Sequence, residues 1–367
     1  MLASSTWLAE SLAAQVGVDW TRQREKGVAM HGLPTPVVAV RLGVDGIPRT
    51  LWLKLEAYNL YGSIKGRTAL ALWQDVEPRI DRDIGVIESS SGNLGLALAA
   101  IAAARQVPFT AVVDPHIGDS LLHDIRALGA RVVSVDIPDS AGGYLLNRLS
   151  YVRERLHREP RLVWTDQYTN PANPIAHARW TAPELHRQTA GARMSVLVAV
   201  STGGTLAGFR AFASDIGADW ELVGVDVTGS AALGGVPGRR LLSGIGASRA
   251  SAFLPEGHRP TMYVTADEAV STCLWLDQRA GIRVGSSSGA LVAAALRLFH
   301  AHPERGSVAC LCPDGADRYS DTVYSADWRS RQKIGESDIG RGVEVEAPVP
   351  AQRIVRLPAP VRGEEDR

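Results

Sequence analysis

Short runs of apolar, β-branched residues alternate along this chain with stretches whose apolar residues recur every three or four positions. That alternation narrows the fold more than any other feature. The runs at 51–55, 84–88, 109–113, 130–135, 162–164, 195–200, 221–227 and 307–312 read as buried strands. Helix-length segments at 94–105, 121–128, 144–157, 178–188, 206–213, 266–279 and 290–301 separate them. Strands alternating with helices imply parallel sheets, because a parallel pair needs a crossover that a helix supplies while it covers one face. The expected fold is therefore α/β. With 367 residues the chain has room for two domains of ordinary size. The segment 329–367 is rich in Pro, Arg and Glu and reads as an extended or disordered tail.

Composition removes several classes of function. The 39 basic side chains balance 39 acidic ones, which argues against a nucleic-acid partner or an anionic membrane surface. The longest apolar stretch, 94–104, is about half of the ~20 residues that span a bilayer. Glu10 and Asp19 interrupt the N-terminal segment, which reads as an amphipathic helix and not as a signal peptide, so a cytoplasmic protein is expected. Three cysteines, Cys273, Cys310 and Cys312, are too few for a disulfide framework. Cys310 and Cys312 alternate on one strand without histidines at ligand spacing, so no metal is expected. Nearly all positive charge is arginine. Only Lys26, Lys54, Lys65 and Lys333 could supply an amine.

Four loops rich in Gly, Ser and Thr follow a strand or open a helix, at 61–67, 89–95, 201–208 and 285–290. Small residues there let backbone N–H groups converge on an anion at a helix N-terminus. The loop STGGTLAG at 201–208 has this form but carries no lysine, and neither a P-loop nor G-x-G-x-x-G is present. A cofactor with one phosphate monoester fits better than a nucleotide. Lys65, flanked by Gly62, Ser63 and Gly66, precedes a helix expected to begin near Thr68. It becomes a Schiff-base amine if its surroundings lower its pKa. GSSSG at 285–289 has the letters of a nucleophile elbow, but no triad order follows it.

In chain order, KLEAYNLYGSIKGR (54–67), SSGNLG (90–95), STGGT (201–205), GIGAS (244–248) and SSGA (287–290) resemble the motifs of the β-family, or fold type II, of pyridoxal-phosphate enzymes. Cysteine synthases and cystathionine β-synthases are its best-known members. Two further segments, 170–185 and 312–325, match as well. The resemblance implies a homodimer of two-domain subunits, each domain built on a twisted, mostly parallel sheet. Residues 1–52 and 172–328 would form the larger cofactor domain, and 53–171 a smaller, mobile substrate domain. It further implies pyridoxal phosphate as cofactor, with Lys65 as Schiff-base lysine and general base. Asn93 would meet the ring hydroxylate and Ser287 the pyridine nitrogen, while Ser201, Thr202, Gly203, Gly204 and Thr205 would hold the phosphate. Ser90, Ser91, Gly92, Asn93 and Gln167 would clasp the substrate α-carboxylate. A neutral serine at the pyridine nitrogen suits β-elimination and replacement.

Some positions depart from the usual pattern. Gly66 stands for Asp, Leu60 for Pro, Ser201 for Gly, and Ser248–Arg249 for the Gly-Phe of cysteine synthases. The segments at 111–117, 142–149, 166–170, 243–249 and 312–328 are similar to a branch that joins the amine of L-glutamate to O-phospho-L-serine. That branch serves 2,3-diaminopropionate synthesis for siderophores and antibiotics. It implies that Arg148, Tyr168 and Ser201 touch substrate. The competing expectations are an exposed helix arginine at 148 and a plain core aromatic at 168. For the whole chain they are a sulfide-using cysteine synthase acting on O-acetylserine or O-phosphoserine, and a catalytically silent binding protein.

Overall fold

A computed structural model describes residues 34–350, apart from Ala141 and the side chain of Leu60. The strands are β1 Val37–Val44, β2 Ile47–Leu55, β3 Val86–Ser89, β4 Phe109–Val113, β5 Arg131–Ser134, β6 Val163–Trp164, β7 Met194–Ala199, β8 Trp220–Val227, β9 Thr261–Val264, β10 Ser307–Cys312, β11 Val343–Val345 and β12 Val349–Pro350. The helices are α1 Lys65–Val76, α2 Asn93–Arg105, α3 Asp119–Ala127, α4 Leu145–Arg158, α5 Ala172–Ala176, α6 Ala182–Gln188, α7 Gly204–Ile216, α8 Ala266–Ala280, α9 Ser286–Ala301 and α10 Ala326–Gln332.

They build two sheets. The larger has the order β11-β1-β2-β10-β7-β8-β9, with β12 also on β1; the smaller has the order β5-β4-β3-β6. Every pair in the smaller sheet is parallel, as are the pairs from β2 through β9 in the larger one. Alternation along each strand divides its side chains between two faces. Val308, Cys310 and Cys312 pack with α8 and α9, while Ala309 and Leu311 pack with Leu185 and Phe209 on the other side. The smaller sheet is sandwiched the same way, by α1 and α2 on one face and by Val152 of α4 on the other.

The α/β class holds, with several local differences. β1, absent from the expected strands, pairs antiparallel with β2 across a two-residue turn. Asp45 (φ 50°) and Gly46 (φ 76°) both have positive φ in that turn, the combination that Asp-Gly supplies in tight hairpins. α1 begins at Lys65 itself and not near Thr68. The tail expected from 329 onward instead completes α10 and then pairs β11 and β12 antiparallel with β1. An edge strand exposes unpaired N–H and C=O groups, and β11 covers them while burying Val343. β2 stays in the larger sheet through Leu55, beyond position 52, where the sequence divides the chain. The N-terminal amphipathic helix and residues 351–367 lie outside the described residues. Among the described residues no helix is long and apolar enough to cross a membrane.

Candidate active site

A cavity of about 420 Å³ opens between the sheets, beyond the carboxyl ends of their strands, where open α/β sheets bind ligands. Thirteen of the fourteen residues singled out from the sequence line it: Lys65, Ser90, Ser91, Gly92, Asn93, Arg148, Gln167, Tyr168, Ser201, Thr202, Gly203, Thr205 and Ser287. The fourteenth, Gly204, lies inside the turn between Gly203 and Thr205.

Lys65 is half-buried at the first position of α1. The segment before it is fixed to the end of β10, where Ile64 N–H donates to Pro313 O at 2.8 Å. Desolvation by the surrounding protein pushes its amine down to about 8, against the opposing pull of Asp314. Asp314 was not singled out in the sequence. Its Oδ2 accepts from Asn93 Nδ2 at 2.7 Å and from the Tyr319 hydroxyl at 2.8 Å, while burial raises its own pKa. Its Oδ1 is buried without a partner.

The turn from β3 into α2 forms one edge of the cavity. The first N–H groups of α2 have no carbonyl of their own helix to bond, and they face the cavity beside Gly92. Ser90 Oγ turns inward and accepts from Gly95 N–H at 3.1 Å. The Ser91 hydroxyl is fully committed: it donates to Asp114 Oδ2 at 2.8 Å and accepts from Asp114 N–H and from Arg148 Nη1. What Ser91 offers a ligand is therefore its backbone. Gln167 donates its side-chain N–H to Ser89 O at 2.8 Å and braces the same turn from behind. Below it, buried Glu88 accepts from Ser89 N–H, Gln167 N–H, Trp164 Nε1 and the Thr165 hydroxyl. Burial outweighs these bonds and raises its carboxyl to about 7.

The turn from β7 into α7 forms the second edge. Gly203 has φ 87°, and a Cβ there would stand 2.0 Å from Ser251 Oγ. A Cβ on Gly204 would stand 2.2 Å from Asn173 Oδ1. A side chain at either position would push Ser251 or Asn173 aside, and at Gly203 it would also have to adopt a positive φ. Thr205 Oγ1 lies 3.2 Å from His177 Nε2, and the same nitrogen is 3.1 Å from Thr68 Oγ1 of α1. His177 is buried in the π-helical turn between α5 and α6, and desolvation lowers its pKa to about 3, so it is neutral. This histidine ties the start of α1 to the start of α7, and sequence reasoning missed it. Across the cavity, Ser287 at the start of α9 has a buried hydroxyl with no hydrogen-bond partner. A native protein rarely leaves such a group unpaired unless a ligand completes it.

Arg148 is buried, not exposed on its helix. Its Nε lies 3.3 Å from Asp114 Oδ2 and its Nη1 donates to Ser91 at 3.0 Å. Tyr168 is buried beneath the guanidinium of Arg249, 5.2 Å from the ring centroid, and it faces the cavity. One chamber thus holds an amine that deprotonates near neutral pH, an orphan hydroxyl, a two-glycine turn, and a second helix N-terminus. Those features fit a cofactor that has an aldehyde, a ring nitrogen and one phosphate.

The comparisons agree with that chemistry. The sequence pattern of the family described as "Pyridoxal-phosphate dependent enzyme" matches residues 28–314. The N-(2-amino-2-carboxyethyl)-L-glutamate synthase of Ralstonia nicotianae is 37% identical over 320 residues, covering 86% of this chain and 93% of that one. The enzyme of the same name from Cupriavidus metallidurans is 37% identical over 303 residues, covering 81% and 89%. The crystal structure of the O-acetylserine-dependent cystathionine β-synthase of Helicobacter pylori superposes with a TM-score of 0.71 at 29% identity, covering 82% of this chain and 98% of that one. With the family pattern running from before β1 to the end of β10, this chain is a member of the pyridoxal-phosphate-dependent enzymes.

Proposed function

We propose that the protein joins the amine of L-glutamate to Cβ of O-phospho-L-serine, giving N-(2-amino-2-carboxyethyl)-L-glutamate and phosphate. The two relatives of that name, similar over most of both chains, support this reading. The observation that carries it to this chain is Arg148: a buried guanidinium, locked by Asp114 onto the turn that faces Lys65. A guanidinium held there by Asp114 and Ser91 suits a dianionic leaving group better than an uncharged acetyl ester.

Pyridoxal phosphate, when bound, supplies an aldehyde that captures the substrate amine and a ring that absorbs electron density from Cα. The remaining work belongs to the chain. Lys65 is the covalent anchor for the aldehyde, and once released its Nζ takes the Cα proton. Ser201 to Thr205 hold the cofactor phosphate on backbone N–H groups and hydroxyls, and Ser287 answers the pyridine nitrogen. Asn93 meets the ring hydroxyl from the start of α2. The backbone of Ser90 to Asn93 orients the substrate carboxylate, with Gln167 and Glu88 keeping the turn rigid behind it. Arg148 receives the phosphate as the Cβ–O bond breaks and its electron pair departs with the leaving group. The glutamate nitrogen then forms the new bond at Cβ and gives up one proton. Lys65 Nζ returns a proton to Cα.

The separate cores of the two sheets, with the cavity between them, support closure of the smaller unit over 53–171 around the substrate. The family resemblance supports a homodimer. Holoenzyme incubated with phosphoserine and glutamate should yield the amino-carboxyethyl adduct of glutamate and release phosphate, both detected by mass. Cysteine formed from sulfide, with no adduct from glutamate, would overturn the assignment in favour of a cysteine synthase.

A further inference from the structure

Two guanidinium groups beside the cavity have no carboxylate partner. Arg240 lines it, donating Nη1 to Gly229 O at 3.0 Å and Nη2 to Ser248 Oγ at 3.1 Å. Among the described residues no carboxylate forms an ion pair with Arg240 or with Arg249. Asp226 and Asp139 act on Arg240 only at longer range. Arg148, by contrast, already has Asp114 as its counter-charge at 3.3 Å. Arg148 and Arg240 line the same cavity as Tyr168, and Arg249 lies over the Tyr168 ring. A guanidinium has five N–H donors, and the two bonds to Gly229 and Ser248 leave donors of Arg240 free.

Gly143 explains how that wall stays open. A Cβ there would stand 2.5 Å from Ser248 Oγ and 3.3 Å from Arg240 Nη2. A side chain at 143 would therefore displace the pair, whereas glycine lets the 142–143 turn close over it. Ser248 is buried and fixes the guanidinium in one orientation. The arrangement is a preset fork with unused donors, held by two neutral acceptors, that lines the same cavity as Lys65.

We propose that Arg240, oriented by Ser248, binds the side-chain carboxylate of the acceptor amino acid and so selects glutamate over uncharged acceptors. This rests on the reaction proposed above, and assigns its second substrate's distal group to a residue on the larger sheet's side of the cavity. The donor's phosphate remains with Arg148, so the two anionic groups are read by different arginines. The unused donors of Arg240 favour a carboxylate over an amide, because a fork-to-carboxylate pair makes two charge-assisted bonds.

The test compares glutamate with glutamine as acceptor for wild-type holoenzyme, Arg240→Gln and Arg240→Lys, with the absorbance response to phosphoserine alone recorded for each. Wild type should prefer glutamate by about tenfold or more in KM. Arg240→Gln should raise KM for glutamate about 10- to 100-fold with little change in kcat, and leave glutamine within about threefold. Arg240→Lys should recover part of the preference, since it restores charge without the fork. If Arg240→Gln fails to fold, Arg240→Lys carries the comparison, with an expected rise in glutamate KM and an intact phosphoserine response. An unchanged glutamate KM in the folded variant overturns the proposal while leaving the reaction intact. Loss of the phosphoserine response in both variants also overturns it, since Arg240 would then serve the donor. If wild type makes no adduct from glutamate at all, the reaction itself has failed, and the acceptor assignment falls with it.

Discussion

Lys65 is governed by two opposed influences of unequal size. Burial lowers its pKa to about 8, and the nearby Asp314 carboxylate offsets only part of that cost. At pH 7 about a tenth of such amines are neutral, against roughly one in 3,000 for an ordinary lysine. Only the neutral amine attacks an aldehyde. Because the folded pKa is depressed, the reactive form accumulates as pH rises through 8 and then levels off. Apo-protein mixed with pyridoxal phosphate should therefore gain visible absorbance at a rate that climbs between pH 6.5 and 8.5 and is flat above pH 9. A rate still rising steeply from pH 9 to 10.5 would show a lysine that the site does not perturb. Lys65 was legible in the sequence because its flanking small residues and its scarcity marked it. Asp314 was not, since its partnership with Asn93 spans 221 positions and follows no local pattern. His177 was hidden for the same reason: nothing around it in the chain announces contacts with Thr68 and Thr205. Ser91 was legible as a loop residue, but its saturation by Asp114 and Arg148 was not.

At the scale of elements, legibility followed the way each segment is buried. Parallel strands covered on both faces, such as β7 and β10, are continuous apolar runs and stood out. β1 lies at residues VVAVRLGV, with Arg41 exposed, and its partner comes from a hairpin that the reading of alternating strands and helices did not consider. β11 and β12 owe their conformation to the free edge of β1 and not to their own composition. Helices were found nearly where they lie, but the π-helical turn at His177–Thr181 interrupts what read as one helix over 178–188. Pro183, which has no N–H to donate, stands two residues beyond that turn, at the second position of α6. The two turns that open α2 and α7 were legible as small-residue turns between strand and helix, and the role proposed for the turn into α7 permits a sharp test. Gly204→Ala places a methyl where Asn173 Oδ1 already stands, at 2.2 Å. Overpacking of this kind costs about 1–3 kcal/mol. Because the displaced Asn173 bonds Thr202 of the turn proposed to hold the cofactor phosphate, Gly204→Ala should also weaken pyridoxal phosphate binding by about tenfold or more. Urea unfolding of the apo-protein and fluorescence titration with the cofactor measure the two effects separately. Native-like stability together with native-like affinity would mean that the turn has slack that its contacts do not reveal.

Across the whole molecule, the larger sheet is held from both ends of the chain: β1 and β2 open the described sequence, β10 lies next to β2, and β11 and β12 close the sheet's edge. The returning segment therefore acts on the sheet that carries the cofactor turns, although it lies at the opposite edge from β8 and β9. Val343 is 4% exposed, and its register places it opposite Val44 at the hairpin end. Full burial of a valine side chain contributes about 1.5–3 kcal/mol, and the backbone bonds of β11 add to it. A chain ending after residue 350 keeps both strands, whereas one ending after 342 loses them, so the difference isolates their contribution. The shorter chain should melt a few degrees lower. Its affinity for pyridoxal phosphate should match that of the longer chain within about twofold, since the removed strands pair with β1 at the sheet's edge and not with β7, which carries the turn into α7. Equal melting temperatures would mean that β1 tolerates a bare edge. A loss of cofactor affinity would mean instead that the sheet transmits disorder from β1 through β2 and β10 to the turn after β7, making the tail part of the active site's support.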